Sequence, residues 1–177
     1  MRVSQVYTAA PSEERCAVEM ETFALLDRLG IPYTWVAHDM ANTIEDCAAV
    51  DAALGISICK NLFLCNRQKT EFYLLAMPGD KLFQTKELSR QLGTARLSFA
   101  PPERMEELLG CAPGSASVLG MAYDKSHQVH LLMDREVYES EWFGCHPCKS
   151  DATLRIQTRD LLNIFFPYTG HSVTVVD

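Results

Sequence analysis

Two cysteines in the segment Cys145-His146-Pro147-Cys148 form the most conspicuous chemical motif of the sequence. A C-x-x-C pair can work as a redox couple when its first thiol lies at the start of a helix, which lowers the pKa of that thiol. No helical pattern of apolar residues follows Cys148. A tetrahedral zinc site would need two further ligands, and neither a second C-x-x-C nor a paired-histidine spacing supplies them. A redox or zinc protein built on Cys145 and Cys148 is therefore the weaker alternative, and we expect no metal and no cofactor.

A lysine, a glycine-containing loop and a histidine form a second group suited to chemistry. Lys60 opens an apolar stretch, where a lysine is either an ordinary surface charge or a fixed cation for a phosphate or a developing oxyanion. Gly114 is typical of a turn, and the residues after it do not form the G-x-S-x-G elbow of a serine nucleophile. His146 has a restricted backbone because a proline follows it. Whether these residues meet in one site depends on the fold.

Charge is unevenly distributed along the 177 residues. The net charge of −7 argues, by itself, against a polyanionic partner, and we expect neither a DNA nor a membrane partner. Residues 60–104 nevertheless carry eight basic and four acidic side chains, whereas both flanking segments are acidic. A cationic segment inside an acidic protein is either a solvated surface or a local binding site for a phosphate-bearing partner.

The length of the chain suits one domain with its own core. No repeat, low-complexity tract or linker divides the sequence, so we predict one domain over residues 1–177. Its core would begin at about residue 23, and residues 1–12 would form an N-terminal extension. Neither a long apolar stretch nor a secretory signal pattern is present, so we expect a cytoplasmic protein whose seven cysteines are free thiols.

Helical and strand patterns alternate along the chain. Ser12 is the expected N-cap of the first helix, and Thr43 is the expected N-cap of the second. Apolar runs at 60–65 and 72–76 flank a polar turn and predict a hairpin, and residues 118–121 and 129–133 are predicted to be strands. This order of elements predicts a mixed α/β (α+β) fold, in which helices surround a mixed, mostly antiparallel sheet.

The same segments give the sequence a resemblance to a known family, from about Phe23 to its end. The matching segments are, in order, Leu29-Gly30-Ile31-Pro32-Tyr33, His38 with Thr43, Lys60-Asn61-Leu62-Phe63-Leu64, Arg96-Leu97-Ser98-Phe99-Ala100, Leu109-Gly110 with Pro113-Gly114-Ser115, and His146-Pro147 with Ala152-Thr153. The chain resembles the YbaK/ProX-type aminoacyl-tRNA deacylases, which are free-standing relatives of the editing domain inserted in bacterial prolyl-tRNA synthetases. It is most similar to the branch that removes alanine from mischarged tRNA-Pro.

The resemblance implies a YbaK-like fold and a reaction. That reaction is hydrolysis of the ester between an amino acid and the terminal adenosine of tRNA. Lys60 matches the family's key lysine, so it would be the catalytic residue that holds the terminal phosphate-ribose region and fixes the ester near the attacking water. Asn61 would assist it. The implied partner is the acceptor end of mischarged tRNA-Pro, and prolyl-tRNA synthetase is a further candidate partner.

The remaining site residues implied by the resemblance bind substrate. The loop that contains Gly114, Ser115 and Ala116 would position the substrate amine and carbonyl through its backbone. His146 would help to shape a small amino-acid pocket, and Arg96 would contact the acceptor stem. All of these assignments come from matching this sequence to the family pattern.

Two departures from the family pattern concern the amino acid that is removed. The glycine loop ends in Val118 where the family has proline, which bears on the rigidity of the loop. Ser150 stands where an asparagine is usual, which bears on hydrogen bonding in the pocket. These departures leave open an enzyme that acts on Cys- or Ser-charged tRNA, and also a non-catalytic module that binds the acceptor end of tRNA.

Overall fold

A computed structural model describes residues 1–40 and 44–177 of the chain, without the side chains of residues 44–46. In chain order, its elements are α1 (Ala17–Arg28), β1 (Tyr33–Ala37), α2 (Ile44–Leu54), β2 (Cys59–Cys65), β3 (Phe72–Pro78), α3 (Thr85–Leu92), β4 (Ser98–Phe99), α4 (Pro102–Leu109), a 3₁₀ helix (Val118–Ala122), β5 (Val129–Asp134), α5 (Arg135–Glu139), β6 (Trp142–Cys145), β7 (Ala152–Gln157), α6 (Thr158–Asp160), a π-helical turn (Leu161–Phe165), α7 (Phe166–Thr169) and β8 (Val173–Val176). Thr43, the expected cap of α2, lies outside the described residues.

The strands of the described ranges form two sheets. One sheet has the order β1-β7-β6 and is antiparallel throughout. The other has the order β4-β2-β3-β5-β8, with antiparallel pairs on one side of β3 and parallel pairs on the other. The predicted mixed, mostly antiparallel α/β fold is confirmed, and its strands are divided between two sheets.

Both sheets contribute to one apolar core. Phe23 of α1, Trp35 of β1, Phe72 of β3 and Phe143 of β6 belong to a single buried cluster. A second cluster covers the opposite face of the larger sheet, where Leu88 of α3 packs against it. The strand β3 is therefore buried on both faces, which accounts for its uninterrupted apolar sequence.

The N-terminal segment adds backbone pairing to the edge of the smaller sheet. Tyr7 and Trp35 exchange two backbone hydrogen bonds of 2.9 Å, and the Ser4 N–H donates to the carbonyl oxygen of Ala37. The helix α1 begins at Ala17, so the prediction of Ser12 as its N-cap is wrong. Residues 3–7 pair with β1, and the helical turn expected after Ser12 does not form.

Residues 118–121 were expected to form a strand, and this expectation is wrong, because Val118–Ala122 is a 3₁₀ helix. The Ser117 hydroxyl caps it by accepting a hydrogen bond from the Leu119 N–H at 3.2 Å. A Cβ at Gly120 would lie 2.6 Å from the Leu109 carbonyl oxygen, so this turn packs directly on the end of α4. A short apolar run buried on all sides looks the same in sequence whether it is a helical turn or a strand.

None of the helices in the ranges 1–40 and 44–177 combines the length and the apolar character needed to cross a lipid bilayer.

Candidate active site

A cleft of about 1110 Å³ lies between β2, the loop around Gly114 and the end of β6. Five of the seven residues expected in the site line it, and these are Lys60, Asn61, Gly114, Ala116 and His146. The three segments that carry them are far apart in sequence, so the fold brings them together. Ser115 is buried beside the cleft, and Arg96 is exposed outside its lining.

The edge of β2 is partly open where it borders this cleft. The short strand β4 pairs with Leu64 and Cys65 of β2, and the Ala100 N–H donates to the Phe63 carbonyl oxygen. The first half of β2, from Cys59 to Leu62, has no strand partner on that side within the described chain. Unpaired backbone groups at a strand edge can hydrogen-bond an incoming molecule.

Carbonyl groups from the turn after β3 position Lys60. Its ammonium group donates a hydrogen bond to the Gly79 carbonyl oxygen at 3.3 Å and another to the Lys81 carbonyl oxygen. Because an ammonium group has three N–H donors, one remains for a bound molecule. Lys60 forms no ion pair in the described part of the chain, whereas neighbouring Lys81 pairs with Asp134 at 2.8 Å. Lys60 therefore keeps its positive charge available to the cleft.

Asn61 supplies an unsatisfied acceptor next to this cation. Successive strand residues alternate between faces, so the Asn61 side chain projects from the face of β2 opposite to that of Lys60. Its amide oxygen Oδ1 is buried and has no hydrogen-bond partner among the described residues. A buried acceptor left unpaired costs about 1–3 kcal/mol, and a hydrogen-bond donor held in the cleft would remove that cost.

The glycine loop owes its shape to one backbone angle and one hydroxyl. Gly114 has φ of +82°, in the left-handed region that favours glycine, and a Cβ there would meet nothing within 4 Å. Ser117 is fully buried, and its hydroxyl donates to the His146 carbonyl oxygen at 2.6 Å. Ser117 thus anchors the loop to the end of β6, and Val118 is buried directly after it. The loop is held by this hydrogen bond without the family's proline.

His146 is fixed in one tautomer by its surroundings. Its ring Nδ1 lies 2.7 Å from the Ala152 carbonyl oxygen, which can only accept, so Nδ1 carries the proton in the neutral ring and Nε2 is left as an acceptor. Burial lowers the pKa of His146, and the nearby His38 ring lowers it further, against the opposing effect of the Ala152 carbonyl. His146 is therefore neutral at pH 7.

The turn that carries Ser150 is held by the residue that follows it. Asp151 pairs with Arg15 at 2.7 Å and with Lys149 at 2.8 Å, while Arg15 also pairs with fully buried Glu19 at 2.8 Å. These pairs keep the pKa of Asp151 below its ordinary value, in spite of its partial burial. Ser150 makes no side-chain hydrogen bond within the described ranges, so the ion pairs of Asp151 are the polar side-chain contacts that hold this turn.

The thiols of the C-x-x-C motif are buried in the core. Cys145 and Cys148 are each about 1% exposed, and both are free thiols. Burial raises the pKa of Cys145, and both a hydrogen bond with Cys111 and burial raise the pKa of Cys148. A thiol with a raised pKa has little thiolate at neutral pH, and thiolate is the reactive form. The described residues 1–40 and 44–177 also contain no group of three His, Cys, Asp or Glu side chains placed to hold a metal ion.

The cationic segment of residues 60–104 does not form one continuous face. Arg96 lies two residues before Ser98, and Ser98 pairs with Cys65 in an antiparallel register, so Arg96 is located toward the turn that joins β2 and β3. Arg67 and Lys69 belong to that turn and are exposed. Lys60 is at the other end of β2, about 20 Å away at the usual rise per strand residue. The exposed cations are thus divided between the cleft and the far end of the hairpin.

Sequence reasoning missed several groups that position the site. The Gly79 and Lys81 carbonyls have no side-chain signature, and Ser117 looked like an ordinary loop serine. The Asp51 carboxylate also lines the cleft and accepts a hydrogen bond from the Ile58 N–H at 2.9 Å. Burial raises the pKa of Asp51, against the lowering effect of that hydrogen bond. A cleft that holds the Lys60 ammonium group and the neutral His146 ring is suited to polarising a carbonyl group.

Comparisons with known proteins show which family the chain resembles. The model of the aminoacyl-tRNA editing domain matches residues 38–164, well over half of the chain. The prolyl-tRNA editing protein ProX of Acetoanaerobium sticklandii is 31% identical over 141 residues, which cover 80% of this chain and 86% of that protein. The prolyl-tRNA synthetase associated domain-containing protein 1 of Danio rerio is 30% identical over 176 residues, covering 98% and 94% of the two chains.

Solved structures share the fold. A crystal structure provisionally described as a trans-editing enzyme for prolyl tRNA synthetase has a TM-score of 0.66 at 18% identity, and the match covers 92% of this chain and 98% of that one. The crystal structure of hypothetical protein APE2540 has a TM-score of 0.64 at 20% identity, covering 88% and 96%. The resemblance found in the sequence is confirmed by these matches. The chain belongs to the aminoacyl-tRNA editing domain family.

Proposed function

We propose that this protein is a trans-editing deacylase that hydrolyses the ester of mischarged Ala-tRNA-Pro. The observation that carries the proposal is that Lys60, Gly114 and His146, from three distant segments, line one cleft at an open strand edge. The ProX relative is named as a prolyl-tRNA editing protein, which supports tRNA-Pro as the substrate class.

The reaction needs positioning more than a strong nucleophile. An aminoacyl ester is already activated, so water can attack its carbonyl carbon when both are held in place, with help from the neighbouring ribose hydroxyl. The bond between the carbonyl carbon and the ribose oxygen breaks. The products are the free amino acid and a tRNA whose terminal hydroxyl has regained a proton.

Lys60 is the residue to which we assign the central role. Its remaining N–H donor can hold the terminal phosphate-ribose region and thereby fix the ester against the attacking water. The same charge favours the negative charge that develops on the carbonyl oxygen. Asn61, with its unpaired Oδ1, would assist by accepting a hydrogen bond from the substrate.

The loop and the histidine are assigned to the amino acid. Backbone groups of Gly114, Ser115 and Ala116 would hold the substrate amine and carbonyl. The neutral His146 ring forms part of the wall of a small pocket, in which a methyl group fits and a larger side chain clashes. A synthetase pocket large enough for proline cannot exclude alanine well, so selection by size in a second site supplies the missing discrimination.

A test compares the purified protein on Ala-tRNA-Pro and Pro-tRNA-Pro. We expect Ala-tRNA-Pro to be deacylated and Pro-tRNA-Pro to be spared, with Lys60→Ala lowering kcat/KM by about 10²–10³-fold. Lys125→Ala removes an exposed lysine outside the cleft and serves as the matched control. Decay of both substrates at the uncatalysed rate, or full activity of a folded Lys60→Ala variant, would contradict the proposal.

The same assay with Cys- and Ser-charged tRNA tests the alternative substrates raised by Val118 and Ser150. Hydrolysis of one of these in preference to Ala-tRNA-Pro would move the assignment to that amino acid. Binding of tRNA without hydrolysis of any ester would indicate a non-catalytic acceptor-end module. Co-purification with prolyl-tRNA synthetase tests that candidate partner directly.

A further inference from the structure

Three apolar side chains next to the cleft are wholly or partly exposed to solvent, and we call Leu82, Phe83 and Phe99 the aromatic rim. Leu82 is 78% exposed and Phe99 is 65% exposed, while Phe83 is half-buried. The rings of Phe83 and Phe99 form an edge-to-face pair with centroids 6.0 Å apart. Because Phe99 lines the cleft, the rim is continuous with the candidate active site.

The rim lies on the same side of the sheet as Lys60. Phe99 is directly opposite Leu64 in the antiparallel pair of β4 and β2, so these two side chains share one face. Lys60 is four residues before Leu64 and also projects from that face, about 13 Å along the strand. The Lys81 carbonyl that holds Lys60 belongs to the residue just before Leu82. One turn therefore connects the cation to the rim.

We propose that the aromatic rim is a stacking platform for an unpaired nucleobase at the 3′ end of the tRNA, with Phe99 as the stacking residue. This inference rests on the proposed function, which places the terminal ester at Lys60. An unpaired RNA strand leaving Lys60 along this face meets Phe99 within its first few nucleotides. Aromatic rings accept any base by stacking, and such platforms are usual where proteins bind single-stranded nucleic acid.

Charge and size favour this occupant over a protein partner. Lys60, at one end of the rim, forms no ion pair within the described residues, and exposed Lys86 lies three residues after Phe83 at the start of α3. These cations suit the phosphates of a strand whose base stacks on Phe99. A stable protein interface needs roughly 20–30 residues from each partner, whereas the rim consists of three residues.

The binding experiment uses an uncharged acceptor-stem hairpin RNA with an unpaired 3′ end. The unpaired base next to the 3′-terminal nucleotide is replaced by 2-aminopurine, whose fluorescence is quenched by stacking. We expect quenching with the native protein, about tenfold weaker binding with Phe99→Ala, and native binding with Phe99→Trp. Tyr168→Ala removes another exposed aromatic ring remote from the cleft and should bind as the native protein does. A native protein that does not quench the probe, or equal affinity of native protein and Phe99→Ala, would overturn the proposal.

Deacylation kinetics distinguish a failure of the stacking platform from a failure of the proposed function. With Ala-tRNA-Pro, Phe99→Ala should raise KM about tenfold and leave kcat close to native, because Phe99 does not touch the reacting ester. If the native protein hydrolyses no mischarged tRNA and Phe99→Ala still loses affinity, the deacylase assignment fails and the platform stands. If the native protein hydrolyses Ala-tRNA-Pro and Phe99→Ala has the native KM, the stacking platform is refuted and the deacylase assignment stands. A native dimer that Phe99→Ala dissociates would replace the nucleobase with a second copy of the chain.

Discussion

Ser117→Ala removes the hydroxyl that ties the glycine loop to the candidate pocket. In the native protein this hydroxyl donates to the His146 carbonyl oxygen at 2.6 Å and accepts from the Leu119 N–H at 3.2 Å. Ser117 is fully buried, so water is not at hand to replace either bond. The substitution removes this partner from the His146 carbonyl oxygen and from the N–H of buried Leu119.

The size of the effect follows from these two bonds. Each buried hydrogen bond contributes about 0.5–1.5 kcal/mol net, and loss of a serine cap typically costs about 1 kcal/mol. We therefore expect Ser117→Ala to lower the free energy of unfolding by about 1–3 kcal/mol, which corresponds to about 2–4 °C in Tm for each kcal/mol. Turnover of Ala-tRNA-Pro should also fall, by about tenfold, because the loop is no longer held against His146.

The assay is urea unfolding together with deacylation kinetics, and Ser115→Ala is its matched control. Ser115 is a buried serine in the same loop whose hydroxyl makes no hydrogen bond within the described residues. Its substitution should change the free energy of unfolding by less than about 0.5 kcal/mol. Equal unfolding free energies of Ser117→Ala and Ser115→Ala would refute the role assigned to the Ser117 hydroxyl.

Three further predictions concern the same site. Gly114→Ala should lower the free energy of unfolding, measured in urea, by about 1–2 kcal/mol, because φ of +82° strains any residue with a Cβ. Gly114→Asn should lower it by less. Burial holds the pKa of His146 below its ordinary 6.5, so its contribution to stability is complete above pH 6.5 and is lost as the pH falls through the lower pKa of the folded state. His146→Asn should consequently lose less unfolding free energy than the native protein between pH 7.5 and pH 5. The deacylation rate of the native protein should be equal with and without reductant, and so should that of a folded variant with alanine at both Cys145 and Cys148. A reductant-dependent rate in the native protein alone would restore the redox alternative.

Sequence patterns predicted the elements whose conformation depends on residues close together in the chain. The hairpin of β2 and β3 was predictable because two apolar runs flank a short polar turn, and the structure pairs Leu62 with Leu75 in that register. The 3₁₀ helix after Ser117 was not predictable, because its conformation depends on packing against Leu109, more than eight residues away in sequence. The pairing of Tyr7 with Trp35 was likewise missed, since a single bridge leaves no periodic signal.

In the candidate site, side chains could be predicted from the sequence, whereas the backbone groups that contact them could not. Resemblance to the family singled out Lys60 and His146 through their residue types and the segments around them. The groups that orient them are main-chain carbonyls of Gly79, Lys81 and Ala152, and a carbonyl group is present whatever the residue type. Their positions follow from the fold alone, so no reading of residue types could identify them.

The acidic character of the protein, with its net charge of −7, extends to the residues that line the cleft. Among its described lining residues, Lys60 is the one lysine or arginine, whereas Asp51, Asp80, Glu136 and Glu141 all contribute carboxyl groups. Several phosphates buried together would meet these carboxylates, so the cleft suits the single terminal nucleotide near Lys60 and the positively charged amine of an amino acid. Under the proposed function, the rest of a tRNA would lie outside the cleft, where the exposed cations of the hairpin turn are available to it. An acidic protein can in this way select the aminoacyl end of a polyanion while it repels the polyanion elsewhere.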